Sequence, residues 1–241
     1  MTYEPTSEGN EFQLTKKQHF HMEAVLKNFV GSDNKVSVTD KKTGLTERYG
    51  VGNQRFLAKR AWSQEIEQHL SWPIEIPFDA EVKRIKANGI IEDHEAISSY
   101  HLLWVLRHWY ALNPSPARQL IPNMPGEIDK RLEEFVESLG KLPLNGGTAK
   151  SRFATALDIK DRLGDPSNLA NYSGISWQIL HSEGSRFISA DSYPTRLLLP
   201  LGPHILLKGC RKKEDSRLLT DEDVQFFNNI ATEEATNFTF G

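Results

Sequence analysis

The stretch EDHEAISSYHLLWVLRHWYALNPSP, residues 92–116, decides how the rest of the chain is read. Ile97, Tyr100, Leu103 and Trp104 recur at the three- and four-residue spacing of a helix. Val105, Leu106, Trp109 and Tyr110 extend the apolar cover around most of its circumference. A helix apolar nearly all round belongs in the interior, so the spacing predicts a central, largely buried helix over 92–112. Asn113-Pro114-Ser115-Pro116 ends it, since a proline restrains the residue before it to extended backbone and has no N–H to donate.

On the N-terminal side, Thr15 with Gln18 three residues on has the form of a capping box and predicts a helix within 18–30. Residues 35–40 and 45–49 flank Lys41-Lys42-Thr43-Gly44 as the arms of a hairpin. Phe56, Leu57, Ala61, Trp62, Ile66 and Leu70 predict a helix over 55–70, Pro73 and Pro77 are expected to break the chain, and helical spacing returns over 80–88. On the C-terminal side, Ile128, Leu132, Phe135, Val136 and Leu139 predict the apolar face of a helix over 127–139. A mobile loop is expected at 140–150 around Asn145-Gly146-Gly147, followed by a helix over 151–163.

The last third changes character. Residues 176–181, 186–190, 196–200 and 204–208 are short apolar segments between turn residues, as in a small antiparallel or mixed sheet. Thr220, followed by Asp221, Glu222 and Asp223, opens a final helix, and residues 237–240 are expected to add an edge strand. The sum is an α+β fold: a single helix-rich domain over 15–241, with short antiparallel or mixed strands near both ends, behind a flexible polar N-terminus at 1–14.

The chain has 241 residues, with 29 Lys and Arg against 32 Asp and Glu, a net charge of −3. That balance excludes a generally basic coat for nucleic acid and leaves room only for a local nucleic-acid or protein contact, for which Arg211-Lys212-Lys213 is the candidate. Cys210 is the only cysteine, so an internal disulfide is excluded. No window of 18 apolar residues occurs and the opening residues are polar and acidic, so no membrane partner and a cytoplasmic location are expected.

Chemistry is sought first in His19-Phe20-His21-Met22-Glu23. In an extended segment His19 and His21 share one face; in a helix His19 and Glu23 do. Imidazoles and a carboxylate suit a divalent metal such as Zn, Mn or Fe, and Lys16 and Lys17 stand beside them to hold an anionic substrate. His94, His101 and His108 form a seven-residue stripe, about 10 Å between neighbours at 1.5 Å rise per residue, too far apart for a common metal. Arg107, among apolar residues, must snorkel to solvent or find an anion. In Phe187 to Pro194, Ser189 and Asp191 stand at a strand end, where a scaffold can fix a carboxylate while a loop leaves it exposed. The phosphate-binding GxxxxGK[ST] loop, GxGxxG, GxSxG, HExxH and CxxC are all absent.

These motifs, in this order, resemble an uncharacterised family known as domain of unknown function 4238. The resemblance runs through His19 to Phe29, the hairpin at 34–44, the arginine-bearing helix from His101 to Pro114, the Phe187 to Pro194 segment, and the closing helix and aromatic end from Val224 to Phe240 with Asn228 and Ala235. Where members of that family open with adjacent histidines and a nearby proline, this chain has Phe20 between His19 and His21, then Glu23 and Ala24. The resemblance implies a common fold over 18–240 and assigns no reaction.

The chemical reading taken forward is a metal-dependent phosphodiester hydrolase, a nuclease-like effector. His19, His21 and Asp191 would hold a divalent metal and act in catalysis with Arg107, while Lys17 and Ser189 would bind substrate. The alternative is a non-enzymatic binding or regulatory module that uses the same polar residues to shape a recognition surface.

Overall fold

In the computed structural model, which describes residues 4–241, the helix at 94–112 is the axis around which the other elements are laid. Thirteen of its nineteen residues are buried, and one stripe through Glu95 and Trp109, the latter 56% exposed, faces solvent although the apolar circumference predicts burial of Trp109 too. Asp93 caps it by accepting from the Ala96 N–H at 2.8 Å.

In chain order, β1 (Gln18–His19) leads through Phe20 into the short α1 (Glu23–Leu26). The hairpin follows as β2 (Val36–Asp40) and β3 (Thr46–Tyr49), and β4 (Leu57–Ala58) returns to pair with β1. The long helices α2 (Trp72–Asn88) and α3 (His94–Leu112) pack together. After β5 (Arg118–Gln119) come α4 (Lys130–Ser138), β6 (Thr148–Ala149), α5 (Ser151–Leu163) and α6 (Pro166–Tyr172). The last third holds β7 (Ser176–His181), β8 (Ser189–Ala190), β9 (Leu198–Gly202), β10 (Ile205–Cys210), β11 (Arg217–Leu218), α7 (Asp221–Glu234) and β12 (Phe238–Phe240).

Two four-stranded sheets flank the helices. One, in the order β11-β7-β10-β9, is antiparallel apart from the parallel β11-β7 pair; the other, β3-β2-β12-β8, joins the N-terminal hairpin to the two ends of the C-terminal third. The helix-rich α+β fold with short strands near both ends is therefore the observed architecture. No helix among the described residues is long and apolar enough to cross a membrane.

Four local departures from the sequence reading have physical causes. The segment at 18–22 is extended rather than helical because the Gln18 side chain is clamped to the Trp62 backbone, donating to its carbonyl at 2.9 Å and accepting from its N–H at 3.3 Å. Residues 57–58 are likewise strand, paired with β1. Pro73 and Pro77 do not break the chain: a π-helical turn at 66–71 runs into α2, Pro73 sits in its first turn, and Pro77 follows one turn later with both rings exposed. A proline costs little at a helix start, and the carbonyl that Pro77 leaves free faces the wet side. Residues 238–240 form an inner strand, with Thr239 opposite Thr39 on one side and Ala190 on the other.

The fourth departure is α4, whose polarity is reversed. Its carboxylates Glu133, Glu134 and Glu137 are buried, whereas Leu132 and Phe135 are 47% and 45% exposed. Met1 to Tyr3 of the expected flexible N-terminus lie outside the described residues; from Glu4 to Phe12 the chain lies against α4 and α5, with Glu4 on Arg152, Glu11 accepting from Arg131 at 2.8 Å and the Phe12 ring 5.7 Å from that of Phe135. The Asn145-Gly146-Gly147 turn is seated against residues 119–121. Gly147, at φ +80°, brings its backbone so close that an added Cβ would meet the Ile121 carbonyl at 1.9 Å.

Candidate functional site

A cleft of about 790 Å³ opens where the C-terminal turn of α3, the β4 segment, the start of α5 and β12 converge. Its floor is apolar: Phe20, Leu57, Phe238 and, from one face of the last turns of α3, Ala111 and Leu112. His108, one turn earlier on the same face, packs edge-on to Phe20 with ring centroids 5.1 Å apart. Its charged lining is cationic, with Arg55, Lys59, Lys150 and the buried Arg60 and Arg152 against a single lining carboxylate, Glu4.

The cationic end is built by an unusual local arrangement. Lys150 caps α5 and Arg152 lies in its first turn, where the helix dipole already places partial positive charge and a cation is disfavoured. The buried face of α4 supplies the compensation. Arg152 donates to Glu133 at 2.5 Å and to Glu137 at 3.0 and 3.1 Å, Arg60 donates to Glu137 at 2.6 Å, and Lys150 lies 2.8 Å from Glu133. Arg60 also lies 3.5 Å from Glu134. This explains the reversal of α4: charges 1–3% exposed in their side chains persist only when paired and hydrogen-bonded.

Glu4 completes this network from the N-terminal segment. Its carboxylate accepts from Arg152 and, at 3.0 Å, from Lys150. Burial disfavours the charged forms of Lys150 and Arg152, but the carboxylates around them more than offset this and hold both above their ordinary values. For Glu4 burial likewise works against ionisation, yet Arg152 and Lys150 prevail and keep its carboxyl below the usual range.

Asp191 lies behind the cleft and is fully buried. One of its oxygens accepts the Thr236 N–H at 2.7 Å; the other accepts the Asn237 N–H at 2.8 Å and lies 3.1 Å from His108 Nε2. Its own carbonyl accepts from Trp104 Nε1 at 3.2 Å. Asp191 thus ties the segment between α7 and β12 to α3 and fixes the ring of His108 at the cleft wall.

The metal reading does not survive this geometry. Among the described residues no group of three His, Cys, Asp or Glu side chains converges to hold an ion. His19 Nε2 is 3.2 Å from the Val51 carbonyl, and its Nδ1 is 3.9 Å from Glu23, the pair that helical spacing would also give. His21 is fully buried, stacked on Trp104 at 4.1 Å, with Nδ1 2.6 Å from the Tyr100 hydroxyl. Burial, helped by the neighbouring His19 and His101, pushes its pKa down to about 3. His19, His21 and Asp191 therefore form no divalent-metal centre, and the metal-dependent hydrolase and nuclease readings fall with it.

The remaining sequence candidates lie apart from the cleft. Arg107 finds its anions in Glu75 at 2.6 Å and Glu67 at 3.6 Å, with its guanidinium 5.6 Å from the Trp62 ring. Ser189 is buried and donates to the Ala190 carbonyl at 2.9 Å, while Lys17 is exposed and outside the lining. Of the histidine stripe, His94 accepts from the Trp177 N–H at 3.0 Å, His101 meets the Tyr172 hydroxyl at 2.8 Å, and only His108 reaches the cleft.

Sequence reasoning passed over Arg60, Lys150, Arg152 and Phe238. The available signal was the pair of cations at the start of α5, opposite to dipole preference, together with Glu133, Glu134 and Glu137 on the far side of α4 from Leu132 and Phe135. No family model, curated protein or solved structure matches the chain.

Proposed function

We propose that this protein is a non-catalytic binding module whose cleft takes a ligand with an apolar body and a carboxylate. The observation that carries this reading is the pairing, in one 790 Å³ cleft, of an apolar floor at Phe20, Leu57 and Phe238 with a cationic end at Lys150 and Arg152. Small-molecule sites of roughly 300–1,000 Å³ commonly join an apolar lining to a few fixed polar groups that orient the ligand. Here the guanidinium of Arg152 is held from the α4 side by Glu133 and Glu137, so it is oriented before a ligand arrives.

1-Naphthaleneacetate has this chemistry and serves as the probe. At roughly 0.3–0.4 kcal/mol per non-hydrogen atom its 14 atoms give about 4–6 kcal/mol, a Kd on the order of 0.05–1 mM by calorimetry. Ala111→Phe, which places a ring on the cleft floor, is expected to weaken binding about tenfold or more while the protein stays folded. Binding that is absent at several millimolar, or indifferent to Ala111→Phe, would overturn the proposal.

A further inference from the structure

The N-terminal segment already occupies the cationic end of the cleft, which Glu4 and Pro5 line. Glu4 places its carboxylate on Arg152 and Lys150, its backbone carbonyl accepts from Arg60 at 3.4 Å, the Pro5 carbonyl accepts from Lys130, and the Ser7 N–H is donated to Glu134 at 2.8 Å. This is a short extended segment bound side chain first, as a ligand would be. Glu4 differs from the other carboxylates of the network in one respect: it is 34% exposed in its side chain, against 1–3% for Glu133, Glu134 and Glu137.

Charge count decides what a ligand anion must do on arrival. The ion pairs around the α4 carboxylates join Arg60, Lys130, Lys150 and Arg152 to Glu4, Glu133, Glu134 and Glu137, four of each sign. An added carboxylate would make five against four, in a place where Glu134 Oε2 is already buried with no partner among the described residues. An exchange of Glu4 for the ligand keeps the balance, and Glu4 is the one carboxylate with a path to solvent.

We infer that residues 4–7 act as a tethered competitor, so that a ligand carboxylate enters by displacing Glu4 from Lys150 and Arg152. The inference rests on the binding reading above and adds a regulatory element to that site. A site occupied in cis for all but a fraction of the time binds its ligand more weakly by that fraction. Releasing Glu4 therefore tightens anionic ligands and leaves uncharged ones alone.

The test compares full-length wild type with Glu4→Gln, titrated with 1-naphthaleneacetate and with the uncharged 1-naphthaleneethanol. Glu4→Gln is expected to tighten the acetate about 5- to 20-fold and to change the alcohol by less than about twofold. Saturating acetate is also expected to speed exchange of the Ser7 amide in the wild type, since displacement of Glu4 frees the segment that Ser7 anchors. If Glu4→Gln leaves acetate affinity unchanged, or tightens acetate and alcohol alike, the competitor is overturned while the cleft stands as a binding site. If neither protein binds either compound, the binding reading fails and this inference with it.

Discussion

Asp191→Ala isolates what the buried carboxylate behind the cleft contributes. Three donors converge on this buried carboxylate: the Thr236 and Asn237 N–H groups at 2.7 and 2.8 Å and His108 Nε2 at 3.1 Å. A buried donor stripped of its acceptor costs about 1–3 kcal/mol. At the middle of that range three such losses cost about 6 kcal/mol, a large share of the 5–15 kcal/mol that stabilises a typical domain. Asp191→Asn keeps one acceptor oxygen and turns an NH2 group toward donors, so about 3 kcal/mol is expected. With a urea dependence near 3 kcal/mol per M, the upper end for small proteins, the unfolding midpoint falls by about 2 M in the alanine variant and about 1 M in the asparagine variant. Tryptophan fluorescence reads the transition, because Trp104 lies against the Asp191 backbone. A midpoint within about 0.3 M of wild type for Asp191→Asn would refute the assignment of Asp191 as the tie between α3, α7 and β12.

Glu137→Gln weakens the partner shared by Arg60 and Arg152 and is expected to cost about 3–5 kcal/mol, read as a lowered urea midpoint; a loss under about 1 kcal/mol would show that the α4 network does not hold its cations. Arg107→Lys is expected to lower stability by about 1–3 kcal/mol while leaving 1-naphthaleneacetate affinity within twofold, since its partners Glu67 and Glu75 stand outside the cleft; a larger affinity loss would place Arg107 in the site. His21 and His101 are held neutral by burial, with pKa values pushed from 6.5 to about 3 and about 4. Each binds fewer protons folded than unfolded, so their contribution is complete above about pH 6.5 and lost as pH falls toward the folded values. His21→Leu is expected to flatten the stability profile between pH 6 and 4 by about 1.4 kcal/mol per pH unit, and an unchanged slope would contradict its burial in the neutral form.

Much of the fold is legible where local chemistry and tertiary demand agree. The apolar circumference of α3, the glycine-containing turn between β2 and β3, and the Thr220–Asp223 capping box of α7 all specify what the chain does. Reading fails where a distant partner overrides the local pattern. Gln18 is drawn into a strand by the Trp62 backbone, forty-four residues away. The apolar spacing of Leu132 and Phe135 points to a buried face, yet Arg60 and Arg152 need the opposite face of α4, and pairing these two cations with Glu133, Glu134 and Glu137 outweighs covering two apolar side chains.

The site was the least legible part for the same reason. His19, His21 and Asp191 carry the residue types of a metal centre, but each is engaged elsewhere: His19 with Val51, His21 with Tyr100 and Trp104, Asp191 with two backbone amides. The cleft draws on residues as far apart as Phe20 and Phe238, which no window of sequence brings together. Its sequence trace is the pair of cations flanking Ser151, a placement that signals compensating carboxylates without locating them.

A crystal structure of the protein with saturating 1-naphthaleneacetate tests the central claim most directly. The naphthyl ring is expected against Phe20 and Phe238, with the carboxylate within hydrogen-bond distance of Lys150 and Arg152. A cleft left empty at saturation, with the compound seated on the exposed Leu132 and Phe135 face of α4 instead, would contradict it.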